Sequence, residues 1–390
     1  MRTMFASLPR GRGVFRGASG WWVAFVLGGI TGLSVAADSG LQLSGGGSPP
    51  ELFFACDGPT GELNVLFSQP GVIPDLLALN AGVALDVPDL TAERAQLVHR
   101  LNDAGIAVIA WLALPKEQGY YLNASNAPQA AMHFADFEKW SAANGLRWRA
   151  VGLDIEPNIQ EFGALKQGSK GRLLETLAAR YFDMERVRRA KIAYSGLIRE
   201  VQAHGYRVQT YQFPFIADER AVRSTLLERI TGVLDLKSDQ EVLMVYTSFN
   251  HQLDSALISA YGPDAQAIAV GSTIGSDSDP HFVPLNWDEF SRDLKVANHF
   301  SHTIGVYNLQ GCVRQGFLSR LKTANWNESV IIPAESVRKA VQLRARVQRA
   351  IWIGSHLVHF VVVILITLTL TIVFLRKRRQ LRREAVQPGG

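Results

Sequence analysis

The stretch AVGLDIEP, residues 150–157, carries two acids inside an apolar run. Side chains alternate across a strand, so Gly152, Asp154 and Glu156 share one face while Val151, Leu153 and Ile155 share the other. The apolar face is suited to packing under helices. Two carboxyls held close together on the opposite face suit general acid catalysis. Burial and a nearby negative charge both raise a carboxyl pKa, leaving one acid with a proton to donate at neutral pH. Glu156 is the expected donor. Asp154 would orient it or steady positive charge developing on a substrate.

Positioning such a pair requires a scaffold, and strand-like and helix-like segments alternate along the chain. The spacing predicts strands over 63–68, 82–87, 107–114, 150–156, 207–213, 241–249, 267–274 and 302–310. Helical stretches fall between most of them, as at 91–105, 130–145 and 286–300, several starting at Thr or Asn and ending near Gly. The alternation predicts an α/β fold, a (β/α)8 TIM barrel over 51–330. ELFFAC, 51–56, is a spare strand candidate, so two segments compete for the first position.

In a barrel the carboxyl ends of the strands form one mouth, where barrel enzymes place catalysis. Asp86, Trp111, Tyr211, Gln212, Tyr246, Ser248, Thr273, Tyr307 and Asn308 fall at similar heights to Asp154 and Glu156. Acids, amides and aromatic rings together suit a sugar, whose hydroxyls hydrogen-bond and whose C–H faces stack. Asp86 is the candidate second carboxylate, acting through water. Trp111 and Tyr246 would position the ring, with Tyr121, Tyr211, Gln212, Tyr307 and Asn308 as further sugar contacts. The long loop 115–130, with Tyr120, Tyr121, Asn123 and Asn126, would wall the same mouth, and loop 275–281 offers Asp277 and Asp279. The plainer alternative is a polar plug with both acids neutralised by an arginine.

Other chemistries find little support. The nine histidines show no metal-ligand spacing, and only His281 falls in a predicted mouth loop. No G-x-S-x-G elbow occurs, and neither metal nor organic cofactor is expected.

Both ends of the chain differ from the core. Arg2, Arg10, Arg12 and Arg16 precede an apolar segment that closes on small residues at Ala36 and Ala37, the pattern of a signal peptide or signal anchor over 1–37. A Gly, Ser and Pro rich linker follows at 38–50. Residues 331–350 are expected to form a juxtamembrane helix, and 351–375 contain no Asp, Glu, Lys or Arg over a length sufficient to cross a bilayer. The basic run RKRRQLRR then predicts a cytoplasmic tail over 376–390, with the barrel extracytoplasmic. Setting aside the ten basic residues of the two ends and Glu384 leaves 30 basic against 34 acidic residues of the original 40 and 35. The central region is therefore acidic, which argues against a nucleic-acid partner. Cys56 and Cys312 flank strands that become neighbours when the barrel closes, so a disulfide between them is expected as a staple.

Glu followed by Pro at the end of the fourth strand resembles the acid/base position of retaining glycoside hydrolases of the (β/α)8 clan, whose motif is Asn-Glu-Pro. Here Ile155 stands in place of the Asn, and the seventh strand lacks the Glu nucleophile. The same stretch is similar to the D-G-x-D-x-D-x-E strand of family 18 chitinases. In one register Glu156 matches the proton donor and Asp154 its partner; in another, GLDIE matches G-x-D-x-D and the donor position falls on Asn158. Met244 and Tyr246 also match Met-x-Tyr-Asp of that family's sixth strand, with Thr247 replacing the Asp. The resemblance implies a divergent glycoside-hydrolase-like barrel over about 50–325, acting on a polysaccharide or glycan. The alternative is an inactive carbohydrate-binding or scaffolding ectodomain in envelope polysaccharide assembly.

Overall fold

The computed structural model describes residues 40–158, 170–275 and 282–384. The N-terminal segment 1–37, Asp277, Asp279, His281 and the last six residues of the tail lie outside these. Eight parallel strands close into a barrel: β2 (Glu51–Cys56), β3 (Gly82–Asp86), β4 (Val108–Trp111), β5 (Ala150–Asp154), β6 (Arg207–Gln212), β7 (Gln240–Met244), β8 (Ala267–Gly271) and β9 (Thr303–Tyr307), with β9 returning to β2. Outside the barrel β1 (Leu41–Leu43) pairs antiparallel with β10 (Val330–Ile332). Part of the expected linker and the start of the expected juxtamembrane helix therefore form a small sheet. Leu43 and Ile332 are buried there.

The first barrel strand is ELFFAC rather than 63–68. Leu63, Leu66 and Phe67 are the buried residues of helix α1 (Thr60–Phe67), and their spacing is helical. The helices that matter most below are α2 (Val72–Ala78), α3 (Ala92–Asp103), α4 (Ala127–Ala143), α5 (Lys170–Phe182), α6 (Met184–Ala203), α7 (Phe215–Ala221), α8 (Leu226–Thr231), α9 (Ala256–Tyr261) and α10 (Trp287–Phe300). Among the described residues the long connection after β5 holds two helices. Asp183 separates them, its side chain accepting from Arg186 N–H as the cap of α6. Asn286 and Glu289 form a capping box that starts α10.

The two faces of each strand meet different cores. Val151, Leu153 and Ile155 pack outward with Phe134 and Phe137 of α4 and Tyr194 of α6. Phe53, Ile109, Trp111, Ala150, Tyr211, Val242 and Met244 fill the inside. Two glycines make room for the rings. A Cβ on Gly152 would lie 2.7 Å from Tyr211, and one on Gly305 would lie 2.7 Å from Phe53. A glycine within a strand here marks the close approach of a bulky neighbour.

The disulfide expected between Cys56 and Cys312 is not formed. Both are buried free thiols, and Cys312 Sγ donates instead to Thr273 Oγ1 at 3.7 Å. Closure rests on the β2–β9 ladder, from Glu51 beside Thr303 to Ala55 beside Tyr307.

At the C-terminus, α11 (Leu309–Arg314) and α12 (Phe317–Leu321) lead through β10 to α13 (Ala334–Ser355) and α14 (Leu357–Glu384). Among the described residues the segment apolar and long enough to span a membrane is Leu357–Arg379, with none of it buried. Ile351, the first residue of the expected span, is buried with Val347 against Leu226 of α8. Helix α13 is clamped to the barrel layer. Arg344 pairs with Asp218 at 2.8 Å and with Asp264 at 2.5 Å, while Gln348 and Tyr261 also donate to Asp218. Asp218 is fully buried, so Arg344→Met strands a carboxylate without its cation. That change is expected to cost about 3 kcal/mol, read as a lower denaturant midpoint, whereas Arg346→Met at an exposed neighbour stays within about 0.5 kcal/mol.

Candidate active site

Glu156 lies two residues past the end of β5, and a loop is bridged onto that end. Leu122 N–H donates to the Asp154 carbonyl at 2.9 Å, and Glu156 N–H donates to the Leu122 carbonyl at 3.0 Å. This bridge fixes the segment after β4 across the mouth. The preceding turn uses Gly119 at φ 107°, a conformation glycine adopts without steric cost. Tyr120 and Tyr121 are thereby delivered beside the acids.

Asp154, Glu156, Trp111, Tyr121, Tyr211, Tyr246 and Tyr307 line one cavity of about 40 Å³, together with Phe53 and Met244. Tyr246 stacks on Tyr307 at 5.7 Å between ring centres, and Tyr120 meets Tyr121 and Trp111 edge-on at 5.0 and 6.3 Å. Space of this size admits water rather than a sugar ring. A larger cavity, about 190 Å³, lies at the amino ends of the strands among Glu51, Arg149, Arg207, Gln209 and Gln240. It shares only Phe53 with the mouth and contains neither Asp154 nor Glu156.

The two acids are 4% and 5% exposed, and Asp154 Oδ1 and Glu156 Oε2 have no hydrogen-bond partner. Among the described residues neither forms an ion pair, so the arginine of the plug alternative is not found beside them. Burial, reinforced by the Asp57 charge, pushes Asp154 up to about 8. Burial and then Asp154 raise Glu156 well above the carboxylate range. Both are neutral acids near pH 7.

Asp57, one residue past β2, is the carboxylate that sequence reading missed. Burial raises it, but Tyr307 Oη and Asn308 Nδ2 donate to its oxygens at 3.3 and 3.1 Å and oppose the rise. Its signal was present in CDG at 56–58, obscured while ELFFAC stood as a spare strand. Asp86 is engaged elsewhere. Its Oδ1 accepts from Arg94 at 3.1 Å, and its Oδ2 accepts from Gly58 N–H at 3.2 Å and Tyr120 Oη at 3.1 Å. Burial still lifts it to about 7 against the pull of Arg94.

The remaining candidates divide. Tyr121, Tyr211, Tyr246, Tyr307 and Trp111 converge with the acids. Asn308 serves by holding Asp57, while its Oδ1 caps α11 through Gly311 N–H. Gln212 is a correction: it follows inward-facing Tyr211, so alternation turns it out of the barrel, where its Nε2 donates to the Leu234 carbonyl at 3.0 Å. Thr273 and Ser248 are tied to neighbouring loops, through the Asn308 backbone and Ser272 N–H. Among the described residues no group of three His, Cys, Asp or Glu is placed to hold a metal ion.

No protein family description matches the sequence, and no curated protein matches it. Solved structures do. They include the PgaB (BpsB) glycoside hydrolase domain from Bordetella bronchiseptica, at 11% identity over 70% of this chain and 98% of that one, with a TM-score of 0.42. An endo-β1,6-glucanase matches at 13% identity over 70% of each chain, with a TM-score of 0.40. A D-tagatose 3-epimerase-like protein matches at 10% identity over 75% of this chain and 99% of that one, also at 0.40. Glycoside hydrolases and other sugar-processing barrels are thus among the neighbours, but the likeness is one of barrel architecture and assigns no residue a role.

Proton linkage gives the site a measurable signature. In the folded chain Asp154 keeps its proton up to about pH 8, against a value of 3.8 when exposed. The stabilisation is complete below about pH 4 and is lost as the pH rises to about 8. Denaturant midpoints are expected to fall across that range, and Asp154→Asn to flatten the decline. At pH 7 Glu156→Gln should be at least as stable as the parent chain.

Proposed function

We propose that the chain is a glycoside-hydrolase-like protein held to a membrane by Leu357–Arg379, with its barrel outside the cytoplasm and a polysaccharide or glycan as substrate. The observation carrying this reading is the contrast within one aromatic-walled mouth. Glu156 lacks a partner on one oxygen and burial raises it well above the carboxylate range, while Asp57, also raised by burial, accepts from two donors that oppose the rise. Carboxyls whose surroundings push their pKa values apart divide the acid and base roles.

Glu156 gives its proton to the glycosidic oxygen as the bond to the anomeric carbon breaks. Asp57 steadies the positive charge at that carbon and receives a proton from the water that replaces the leaving group. Asp154, kept neutral beside Glu156, holds the pair's charge down. Asp86 takes the supporting part of fixing Tyr120, a change from its expected role, because its oxygens are occupied by Arg94, Gly58 and Tyr120. Tyr246, Tyr307 and Trp111 supply ring faces. Since the cavity is only about 40 Å³, a sugar enters with displacement of the Tyr120–Tyr121 segment.

The closed mouth also favours a second reading, a barrel that binds or organises carbohydrate without cutting it. Release of reducing ends from a panel of polysaccharides separates the two. Glu156→Gln is expected to lower turnover by about 10²- to 10⁴-fold while ligand binding persists, and Asp57→Asn to do likewise with the fold intact. Full activity in Glu156→Gln removes the acid assignment; binding without hydrolysis in the parent chain leaves the second reading.

A further inference from the structure

The direction in which the chain leaves the barrel is set by α13. Its middle is fastened low on the barrel: Arg344 reaches the Ala260 carbonyl and Asp264, just before β8 begins at Ala267. Its end is fastened high. The Gly354 carbonyl accepts from Tyr181 Oη at 2.9 Å, and Tyr181 closes α5 just before α6. The first turn of α6 stands at the mouth, where Arg186 donates to Ser125 Oγ of the loop leading into α4 at 3.4 Å. Helix α13 therefore climbs from the amino ends of the strands to their carboxyl ends. At the turn His356 N–H donates back to the Trp352 carbonyl at 3.2 Å, and Phe360 N–H of the next helix donates to the His356 carbonyl at 3.0 Å. The apolar helix departs on the mouth side.

Around that departure point large apolar side chains face water. Phe182 and Met184 are 67% and 66% exposed, and Trp352 and Ile353 are 45% each. Single exposed apolar residues are ordinary, but here they gather at one junction. Trp352 precedes Leu357 by five residues, roughly 7 Å of helix, which matches the depth of the headgroup zone where tryptophan concentrates. Trp352 also packs on His356 and Phe360 at 4.8 and 5.8 Å, continuing the apolar surface into the span.

We propose that this rim, formed by Phe182, Met184, Trp352 and Ile353, docks on the surface of the lipid bilayer and turns the barrel mouth towards the membrane. The proposal rests on the reading of Leu357–Arg379 as a membrane span. The amino end of the barrel, marked by Asp103 at the close of α3, then faces away; Asp103 has 75% of its side chain exposed.

The test uses the full chain in vesicles of phosphatidylcholine and phosphatidylglycerol containing nitroxide-labelled lipid. Cys56 and Cys312 are replaced by Ala, and a fluorophore is attached through Met184→Cys or, as the distal control, Asp103→Cys. Quenching of at least twofold at 184 and none at 103 is expected. Adding Phe182→Glu and Trp352→Glu should abolish quenching at 184 while the protein stays with the vesicles after a carbonate wash. Absence of quenching at 184 in protein that survives the wash overturns the docking and leaves the span standing. Protein stripped by the wash overturns the span, and the docking with it.

Discussion

Withdrawal of carboxyl groups from water, without a cation to meet them, is the constraint around which this molecule is arranged. Asp154 and Glu156 sit inside a ring of backbone whose own hydrogen bonds are satisfied within the sheet, and nothing on the neighbouring strands offers them positive charge. They answer by staying protonated. A neutral acid can then be kept in an apolar enclosure at moderate cost, and it is stored in the state that a proton donor requires. The tyrosines around it follow the same rule, since burial holds Tyr121, Tyr246 and Tyr307 far from ionisation as well.

Two other carboxyls show how the surroundings change the outcome. Asp86 meets Arg94, one of the largest fully buried side chains, which also binds Asp89 and the Gly58 carbonyl. Asp57 accepts hydrogen bonds from Tyr307 and Asn308, with the Lys116 charge adding a weaker pull. A guanidinium fixes an acid in a structural role, whereas a tyrosine and an asparagine only oppose the rise that burial imposes on Asp57. Four acids around the mouth therefore have three kinds of surroundings, although their residue types hardly differ.

Much of this was legible in the sequence. The alternation across 150–156 located the inward acids, because a period of two assigns faces without knowledge of tertiary partners. Trp111, Tyr211, Tyr246 and Tyr307 line the same cavity as these acids. Gln212 went astray by the same rule misapplied, since adjacent residues of one strand cannot share a face. The segment 63–68 was misread because a short apolar run fits either period, and only the contact of Leu63, Leu66 and Phe67 with the core decides between them. Asp57 was invisible for a derivative reason: an acid is placed at the mouth only after its strand has been admitted to the barrel. The cysteines illustrate a different limit. Adjacent strands bring two residues to one region, but the partner a thiol takes depends on side-chain direction, and Cys312 Sγ donates to Thr273 Oγ1.

The Arg344–Asp218–Gln348 clamp has a geometric corollary. A domain on a flexible stalk turns freely about its tether, whereas this one is joined to its apolar helix by the one-residue turn at His356, at the end of a helix fastened at two heights. Rotation about the helix axis is therefore shared between them. A single residue inserted between Trp352 and His356 would twist one part by about 100° relative to the other. The azimuth of the barrel, and with it which flank meets the bilayer, is written into the residue count of one short helical junction.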